Sequence, residues 1–139
     1  MTLSKLNVGD HASSTVLVDA ARCIDFLGDQ LRIYATPELV RDIELACLNF
    51  LTPHLAPGEA SVGTDVQIRH GGATLLGMQV KITATVAHID RRSIGFSVVA
   101  TDGVEEICRG SHARFIVDID KLRGRVADKA AQVRLAALA

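Results

Sequence analysis

The stretch YATPELVRDIELACLNFL, residues 34–51, has the pattern of a helix around which the remaining elements can pack. Thr36 can cap the helix, Pro37 suits its first position, and Glu38 places a negative charge where the helix dipole favours it. Apolar side chains then recur at the spacing of a buried helix face: Leu39, Val40, Ile43, Ala46, Cys47, Phe50 and Leu51. The sequence therefore predicts an amphipathic helix over residues 37–51.

One acidic residue, Glu44, falls on this apolar face. It follows Val40 by four residues and precedes Cys47 by three. A carboxylate among apolar side chains is costly unless it is ion-paired, hydrogen-bonded or used in chemistry. Glu44 is therefore either a buried partner of a cation, for which Arg69 and Arg114 are candidates, or a functional carboxylate.

Beyond residue 60 the pattern changes from helical to alternating. Alternation predicts strands over residues 61–70, 78–89, 94–100 and 104–117, and a shorter strand over residues 13–18 precedes the helix. Short turns join the last three strands, which predicts an antiparallel meander. In the strand over residues 61–70, one face is predicted to carry Val62, Val66, Ile68 and His70. A long apolar helix and a sheet with one apolar face can bury each other, so the element order predicts an α+β hotdog fold with a curved antiparallel sheet around one central helix.

The chain length is that of a single domain. With 139 residues, one hydrophobic core can form, and no linker or repeat divides the sequence. We predict one domain over residues 1–139 with a core at about residues 8–121. The remaining tail is helix-prone and alanine-rich, and we predict it to be partly helical or frayed.

Composition excludes several classes of function. Hydrophobic residues make up 48% of the chain and the mean hydropathy is +0.25, which suggests that some apolar surface is buried between subunits. No apolar run approaches the roughly 20 residues of a membrane span. The net charge of −1 and the absence of Trp argue against nucleic acid as a partner. The three cysteines form no CxxC pair, which fits a reducing cytoplasm and argues against a disulfide framework.

Three polar residues, Thr36, Glu44 and His70, stand where the pattern expects apolar or capping groups. Thr36 and Glu44 are separated by eight helical residues, which places them ~12 Å apart along the axis and about 80° apart around it. They can flank a pocket, and His70 at a strand end can close over it. A carboxylate, an imidazole and a hydroxyl suit hydrolysis of an activated acyl group.

Each residue taken singly also has a structural interpretation: Thr36 as an N-cap, His70 as a structural histidine and Glu44 as an ion-pair partner. The remaining histidines lack metal-ligand spacing, so no metal is predicted.

Several short motifs follow one another along the chain: Ala35-Thr36-Pro37, Glu44, Ala46-Cys47, Pro57-Gly58-Glu59, Val62-Gly63-Thr64, His70, Ala73-Thr74, Gly77 and Gly110-Ser111-His112-Ala113-Arg114. Their order and spacing resemble the fluoroacetyl-CoA thioesterase family and its hotdog relatives. The resemblance covers residues 8–121 and implies hydrolysis of an acyl-CoA thioester without metal or cofactor. It also implies a catalytic set of Thr36, Glu44 and His70, acyl-group contacts by Gly63 and Arg114, and a homodimer with active sites near the interface. Association of two dimers into a tetramer is left open.

The segment before the helix departs from that family. Residues 24–33 are shorter than the lid region of the fluoroacetyl-specific enzyme, and Gln30 falls near the place of its gating phenylalanine. We therefore expect a short- or medium-chain acyl-CoA thioesterase rather than one selective for the fluorinated group. Two alternatives stay open at this point: a hotdog enoyl-CoA hydratase, and a non-catalytic module that binds acyl-CoA.

Overall fold

The structure, a computed structural model, describes the backbone of residues 5–138 and the side chains of residues 5–135. Within these residues it contains five strands and two α-helices: β1 (His11–Leu17), α1 (Thr36–Leu51), β2 (Glu59–His70), β3 (Gln79–Asp90), β4 (Ser93–Thr101), β5 (Glu106–Asp118) and α2 (Ile119–Leu138). Short 3-10 turns lie at Ala20–Arg22, Asp29–Leu31 and Thr52–His54. The strands form an antiparallel sheet in the order β1-β3-β4-β5-β2, and α1 packs against it. This arrangement confirms the predicted α+β hotdog fold.

The core lies between α1 and the concave face of the sheet. The helix contributes Leu39, Ile43, Cys47 and Leu51, which are fully buried. Burial of each large aliphatic side chain stabilises the fold by roughly 1.5–3 kcal/mol. The sheet contributes the two rows predicted from alternation, all of them buried: Val80, Ile82, Ala84 and Val86 on β3, and Ile94, Phe96, Val98 and Ala100 on β4.

The sheet order leaves β2 at an edge. β3, β4 and β5 form the predicted meander, and β2 pairs only with β5 while β1 pairs only with β3 in the described chain. β2 is 12 residues long and most of its residues are exposed. A long unpaired edge of this kind offers a row of backbone donors and acceptors to another strand.

A β-bulge in β2 changes which of its residues face the helix. Gly63 lies opposite Arg114 and Asp65 lies opposite Ala113, so Thr64 is an extra residue in the ladder. Residues that oppose each other in an antiparallel pair share a face, and Val62 therefore points outward with its partner Phe115. The predicted face is wrong at Val62, which is 38% exposed, because the bulge shifts the alternation.

The beginning of α1 also differs from the prediction. The helix starts at Thr36, one residue early, and Ala35 occupies the N-cap position without a side-chain cap. The interpretation of Thr36 as an N-cap is therefore wrong. Its hydroxyl is available for another partner because it does not bind the helix backbone.

The C-terminal segment forms α2, a 20-residue helix with exposed charged side chains along most of its length. This agrees with the helical part of the predicted tail. The extent of a single domain over residues 1–139 stays a prediction, since residues 1–4 and 139 lie outside the described residues. No helix in the described part of the chain is both long and apolar enough to cross a membrane.

Candidate active site

The structure brings Thr36 and His70 together at one end of α1. Thr36 is the first residue of the helix and His70 is the last residue of β2. The Oγ1 atom of Thr36 lies 2.8 Å from Nδ1 of His70, which is a hydrogen bond. The pair lines a pocket of about 300 Å³ whose apolar wall includes Ile24 and Ile33. An imidazole and a hydroxyl therefore meet in a partly enclosed space.

The surroundings of His70 favour its neutral form. Burial lowers the pKa of His70, and the adjacent backbone of Gly72 opposes this shift only in part. The ring of Tyr34 packs edgewise against the imidazole, with centroids 6.2 Å apart and an interplanar angle of 74°. The Nε2 atom is buried and has no hydrogen-bond partner among the described residues. His70 is thus an imidazole with Nδ1 bound to Thr36 and Nε2 buried without a hydrogen-bond partner among the described residues.

A buried network fixes Tyr34 beside His70. The hydroxyl of Tyr34 donates a short hydrogen bond to Oδ2 of Asp42, a residue that is only 5% exposed. Arg22 donates to the same carboxylate from Nε at 2.9 Å and from Nη2 at 3.2 Å. These contacts tie the segment before α1 to the helix itself. Asp42 is absent from the residues predicted from sequence, although it follows Leu39 by three residues and gives the same signal as Glu44, an acid on the apolar stripe.

Glu44 lines a different pocket, of about 350 Å³, between α1 and β2. Its side chain is half-buried, and among the described residues it makes no hydrogen bond and no ion pair within 4.0 Å. The interpretation of Glu44 as the ion-pair partner of Arg69 or Arg114 is therefore wrong for this chain. A partly buried carboxylate without a bound cation is available for substrate or water.

Gly63 keeps the space beside Glu44 open. A Cβ atom at this position would lie 3.0 Å from Oε1 of Glu44, 3.2 Å from Cε1 of His112 and 3.5 Å from Nη1 of Arg114. These three side chains therefore converge on the glycine from α1 and β5. Gly63 faces them because the bulge at Thr64 places it directly opposite Arg114.

Arg114 is a buried cation held by neutral acceptors. Only 6% of the residue is exposed, and burial is the main cause that lowers its pKa. Nε donates to Oγ of Ser61 at 2.8 Å, Nη2 donates to the Ser61 carbonyl at 2.8 Å, and Nη1 contacts Nε2 of His112 at 3.1 Å. No carboxylate of the described chain lies within ion-pair distance of it. Its charge is thus directed at the pocket that Glu44 also lines. After burial, which lowers the pKa of Arg114, Cys47 and Glu44 act in the opposite direction.

Ser61 and His112 are site residues that the sequence predictions do not include. His112 belongs to the short motif around Arg114, but its spacing suggested no role. Ser61 gave no signal, since its inward direction depends on the bulge at Thr64, three residues later.

Within one chain, the predicted set divides into two parts. Thr36 and His70 line one pocket, and Glu44, Gly63 and Arg114 line another. The separation follows from the helix, because eight residues advance the axis by ~12 Å.

The remaining candidate groups have packing roles. Burial raises the pKa of the Cys47 thiol to about 12, so the thiol is protonated at neutral pH and packs in the core, as predicted. Among the described residues, no group of three or more His, Cys, Asp or Glu side chains could hold a metal ion.

Comparison with known proteins places these features in a family. The model of the family described as fluoroacetyl-CoA-specific thioesterase matches residues 18–120. The fluoroacetyl-CoA thioesterase of Streptantibioticus cattleyicolor is 36% identical over 97 residues, which cover 70% of each chain. The solved structure of the fluoroacetyl-CoA thioesterase FlK superposes with a TM-score of 0.81 at 30% identity, over 89% of this chain and 97% of that one.

A more distant structure supports the fold alone. A thioesterase superfamily member from Thermus thermophilus has a TM-score of 0.85 at 23% identity, over 94% of this chain and 97% of that one.

The family match covers both strands and helix of the site, from before Arg22 to beyond Arg114. The chain therefore belongs to the fluoroacetyl-CoA-specific thioesterase family and is a thioester hydrolase with the hotdog fold.

Proposed function

We propose that this enzyme hydrolyses a short- or medium-chain acyl-CoA to the free acid and CoA. The observation that carries the proposal is the hydrogen bond between Thr36 and His70 at a pocket that both residues line, with Nε2 of His70 unpartnered among the described residues. Family membership supplies the substrate class, because the curated relative is a fluoroacetyl-CoA thioesterase and a solved FlK variant is in complex with fluoroacetate and CoA.

Each polar side chain takes one role in the proposed reaction. Glu44 accepts a proton from water as the water oxygen bonds to the thioester carbonyl carbon. Collapse of the tetrahedral intermediate then breaks the C–S bond, and His70 relays the proton to the departing sulfur. Thr36 holds the imidazole through Nδ1 in this scheme, and the N-terminus of α1 favours the developing oxyanion. The products are the carboxylic acid and CoA thiol.

A covalent route uses the same residues. The Glu44 carboxylate attacks the carbonyl carbon, expels the CoA sulfur and forms a mixed anhydride, which water then hydrolyses. A single turnover in ¹⁸O-labelled water, combined with hydroxylamine trapping, separates the two routes. Label in the Glu44 carboxylate indicates an anhydride that water opens at the Glu44 carbonyl. Label confined to the product acid fits either general-base catalysis or an anhydride opened at the acyl carbonyl, and conversion of Glu44 to a hydroxamate by hydroxylamine identifies the anhydride.

Gly63 and Arg114 form the proposed acyl-binding side of the site. The open space at Gly63 admits the acyl group, and the guanidinium of Arg114 faces the same pocket. A cation held by neutral acceptors can attract the electron-rich oxygen of a bound thioester without being neutralised by the protein.

We also propose that the active enzyme is a homodimer in which the two parts of the site come from different subunits. A two-fold axis perpendicular to α1 reverses the direction of the helix, so an antiparallel pair of helices can set the partner subunit's Glu44 beside Thr36 and His70. The unpaired edge of β2 supports this assembly, because its exposed backbone can extend the sheet into a second copy. Whether two dimers associate further is not part of the proposal.

Subunit complementation tests this assembly. Glu44→Ala and His70→Ala are each expected to abolish activity as homodimers. If the site is composite, the heterodimer has one intact site, and statistical mixing should restore about a quarter of wild-type activity. Failure of the mixed, exchanged subunits to regain activity would show that both residues act within one subunit.

The substrate range follows from the segment before α1. Residues 24–33 form a loop closed by a hydrogen bond that the backbone N–H of Ile24 donates to the Ile33 carbonyl at 2.9 Å. The backbone N–H of Leu76 donates to the Arg32 carbonyl at 3.1 Å and so holds the loop. Ile24 and Ile33 line the pocket, while Phe26 stands 75% exposed at the loop tip. In the composite site this apolar wall lies opposite the acyl-binding side formed by Gly63 and Arg114 of the other subunit, so it can contact the acyl chain from its own side. We propose no fluoroacetyl selectivity, no metal and no cofactor, and a cytoplasmic location that fits the three free thiols.

A panel of acyl-CoAs with a free-thiol readout tests the proposed function. We expect turnover to be highest with a short or medium chain, and the panel should include fluoroacetyl-CoA to measure selectivity. Loss of enoyl absorbance with crotonyl-CoA would instead indicate a hydratase. Saturable thermal stabilisation by acyl-CoA without thiol release would indicate a binding module.

A further inference from the structure

We propose that His112 is the positioning residue of Arg114, and that it acts as a neutral imidazole with its proton fixed on Nδ1. The inference rests on the proposed role of Arg114 in acyl binding. It extends that role by assigning the group that sets the direction of the guanidinium, a group that does not itself need to touch the substrate.

Hydrogen-bond chemistry determines the state of His112. Nη1 of Arg114 lies 3.1 Å from Nε2 of His112, and a guanidinium can only donate. Nε2 must therefore accept, so it carries no proton. The other nitrogen, Nδ1, lies 2.8 Å from the carbonyl oxygen of Asp65, which can only accept, so Nδ1 carries the proton. Both contacts are satisfied in this single state of the ring.

The bulge in β2 creates the geometry that this state requires. With Thr64 as the extra residue, Val66 lies opposite His112 and Gly63 lies opposite Arg114. Both β5 side chains therefore face α1 on the same side of the sheet. Ser61 on β2 binds Arg114 directly, and the Asp65 carbonyl on β2 acts through the imidazole of His112 on β5. The guanidinium is therefore oriented by both strands.

The surroundings of His112 oppose its protonation, and burial is the main cause. His112 is almost fully buried, and burial is the largest influence that lowers its pKa. Arg114 on β5 lowers it further, whereas the Asp65 carbonyl, Glu44 on α1 and the Asp65 carboxylate raise it. A proton on Nε2 would set two donors against each other and remove one of the contacts that orient Arg114.

NMR of the ring nitrogens tests the assignment without any need for turnover. In the ¹⁵N-labelled wild-type protein, the His112 ring should show a protonated Nδ1 and an unprotonated Nε2, and it should titrate below the ordinary histidine pKa of about 6.5. In Arg114→Met the same ring should titrate at higher pH, because the opposing cation is gone. An Nε2-protonated ring, or a titration unchanged by Arg114→Met, would overturn the proposal.

The activities of two variants at position 112 distinguish a positioning role of His112 from a role in packing alone. In His112→Gln the side-chain oxygen can still accept from Arg114, and we expect kcat/KM to stay within about threefold of wild type. In His112→Leu the acceptor is lost and we expect a fall of about 10- to 100-fold. His11→Gln on the distant edge strand β1 is the control for histidine loss. Equal effects of Gln and Leu at position 112 would contradict the positioning role.

These readouts fail independently of the proposed function. A wild-type protein that hydrolyses no acyl-CoA would refute the function while leaving the NMR assignment of His112 testable. An active wild type with the wrong tautomer would refute only the role of His112.

Discussion

Replacement of Gly63 by alanine should impair catalysis without destabilising the protein. The added Cβ would lie 3.0 Å from Oε1 of Glu44 and 3.2 Å from Cε1 of His112, which is closer than ordinary contact distances. The carboxylate is the end of a flexible side chain, so it can move away by a few tenths of an ångström. The backbone of Gly63 is not in the left-handed region, so alanine can adopt its conformation.

The two consequences have different magnitudes. Alanine in place of a strand glycine removes a conformational cost of roughly 0.5–1 kcal/mol, which offsets the local crowding. A displacement of about 1 Å in a reacting group can cost about 100-fold in rate, so a shift of about half that size should cost about 10-fold. In transition-state free energy this loss is about 1.4 kcal/mol.

The assay compares kcat/KM for the preferred acyl-CoA with the midpoint of thermal denaturation. Gly124→Ala is the matched control, since a Cβ at this position of α2 meets no atom within 4 Å. The control should retain wild-type kcat/KM and gain up to about 1 kcal/mol of stability. Wild-type kcat/KM in Gly63→Ala would refute the argument that the space between Glu44 and Arg114 holds the acyl group.

Three further predictions follow from the buried groups. Cys47→Ala should lower the free energy of unfolding by about 1 kcal/mol through lost packing and leave kcat unchanged, and a large loss of kcat would contradict a packing role. Asp42→Asn should lower it by about 2 kcal/mol in urea denaturation, because the buried carboxylate that pairs with Arg22 loses its charge; an unchanged midpoint would show that this network is dispensable. Burial lowers the pKa of both His70 and His112, so the unfolded chain binds more protons than the folded one below pH of about 6.5. The free energy of unfolding should therefore fall as the pH falls from about 6.5 through the lowered pKa values, and stability independent of pH there would be inconsistent with neutral buried imidazoles.

The elements that local pattern determines were predicted well. The apolar stripe of α1 and the inward rows of β3 and β4 lie where the periodicity of 3.6 and 2 residues placed them. The short turns between β3, β4 and β5 also predicted that these strands pair in sequence order. These features depend on residues close to one another in the chain.

The features that the sequence did not reveal depend on contacts between distant segments. The pairing of β2 with β5 requires knowledge of the sheet order, and the bulge at Thr64 reverses the alternation without a Gly or Pro at the extra position. As a result Val62 was placed on the wrong face, and the inward direction of Ser61 was missed.

The sequence predicted the identity of the site residues better than their arrangement in space. Thr36 was interpreted as a cap because its local sequence fits one, and its hydrogen bond to His70 spans 34 residues of chain. Asp42 was not predicted because its partner Arg22 lies on another element, before the helix. His112 was not predicted because its contact to the Asp65 carbonyl requires β2 to pair with β5, although its other partner, Arg114, lies on the same strand. The separation of Glu44 from His70 into different pockets leads to the composite dimeric site that we propose.

The measurement that tests the central claim most directly is thiol release from the preferred acyl-CoA by the wild type, Glu44→Gln and His70→Asn. Both substitutions preserve side-chain size, so loss of activity reports on chemistry once the fold is verified. The account predicts turnover by the wild type and a decrease in kcat of at least about 100-fold in each variant, the scale of acid–base catalysis. Wild-type kcat in either variant, or no thiol release by the wild type from any acyl-CoA, would contradict it.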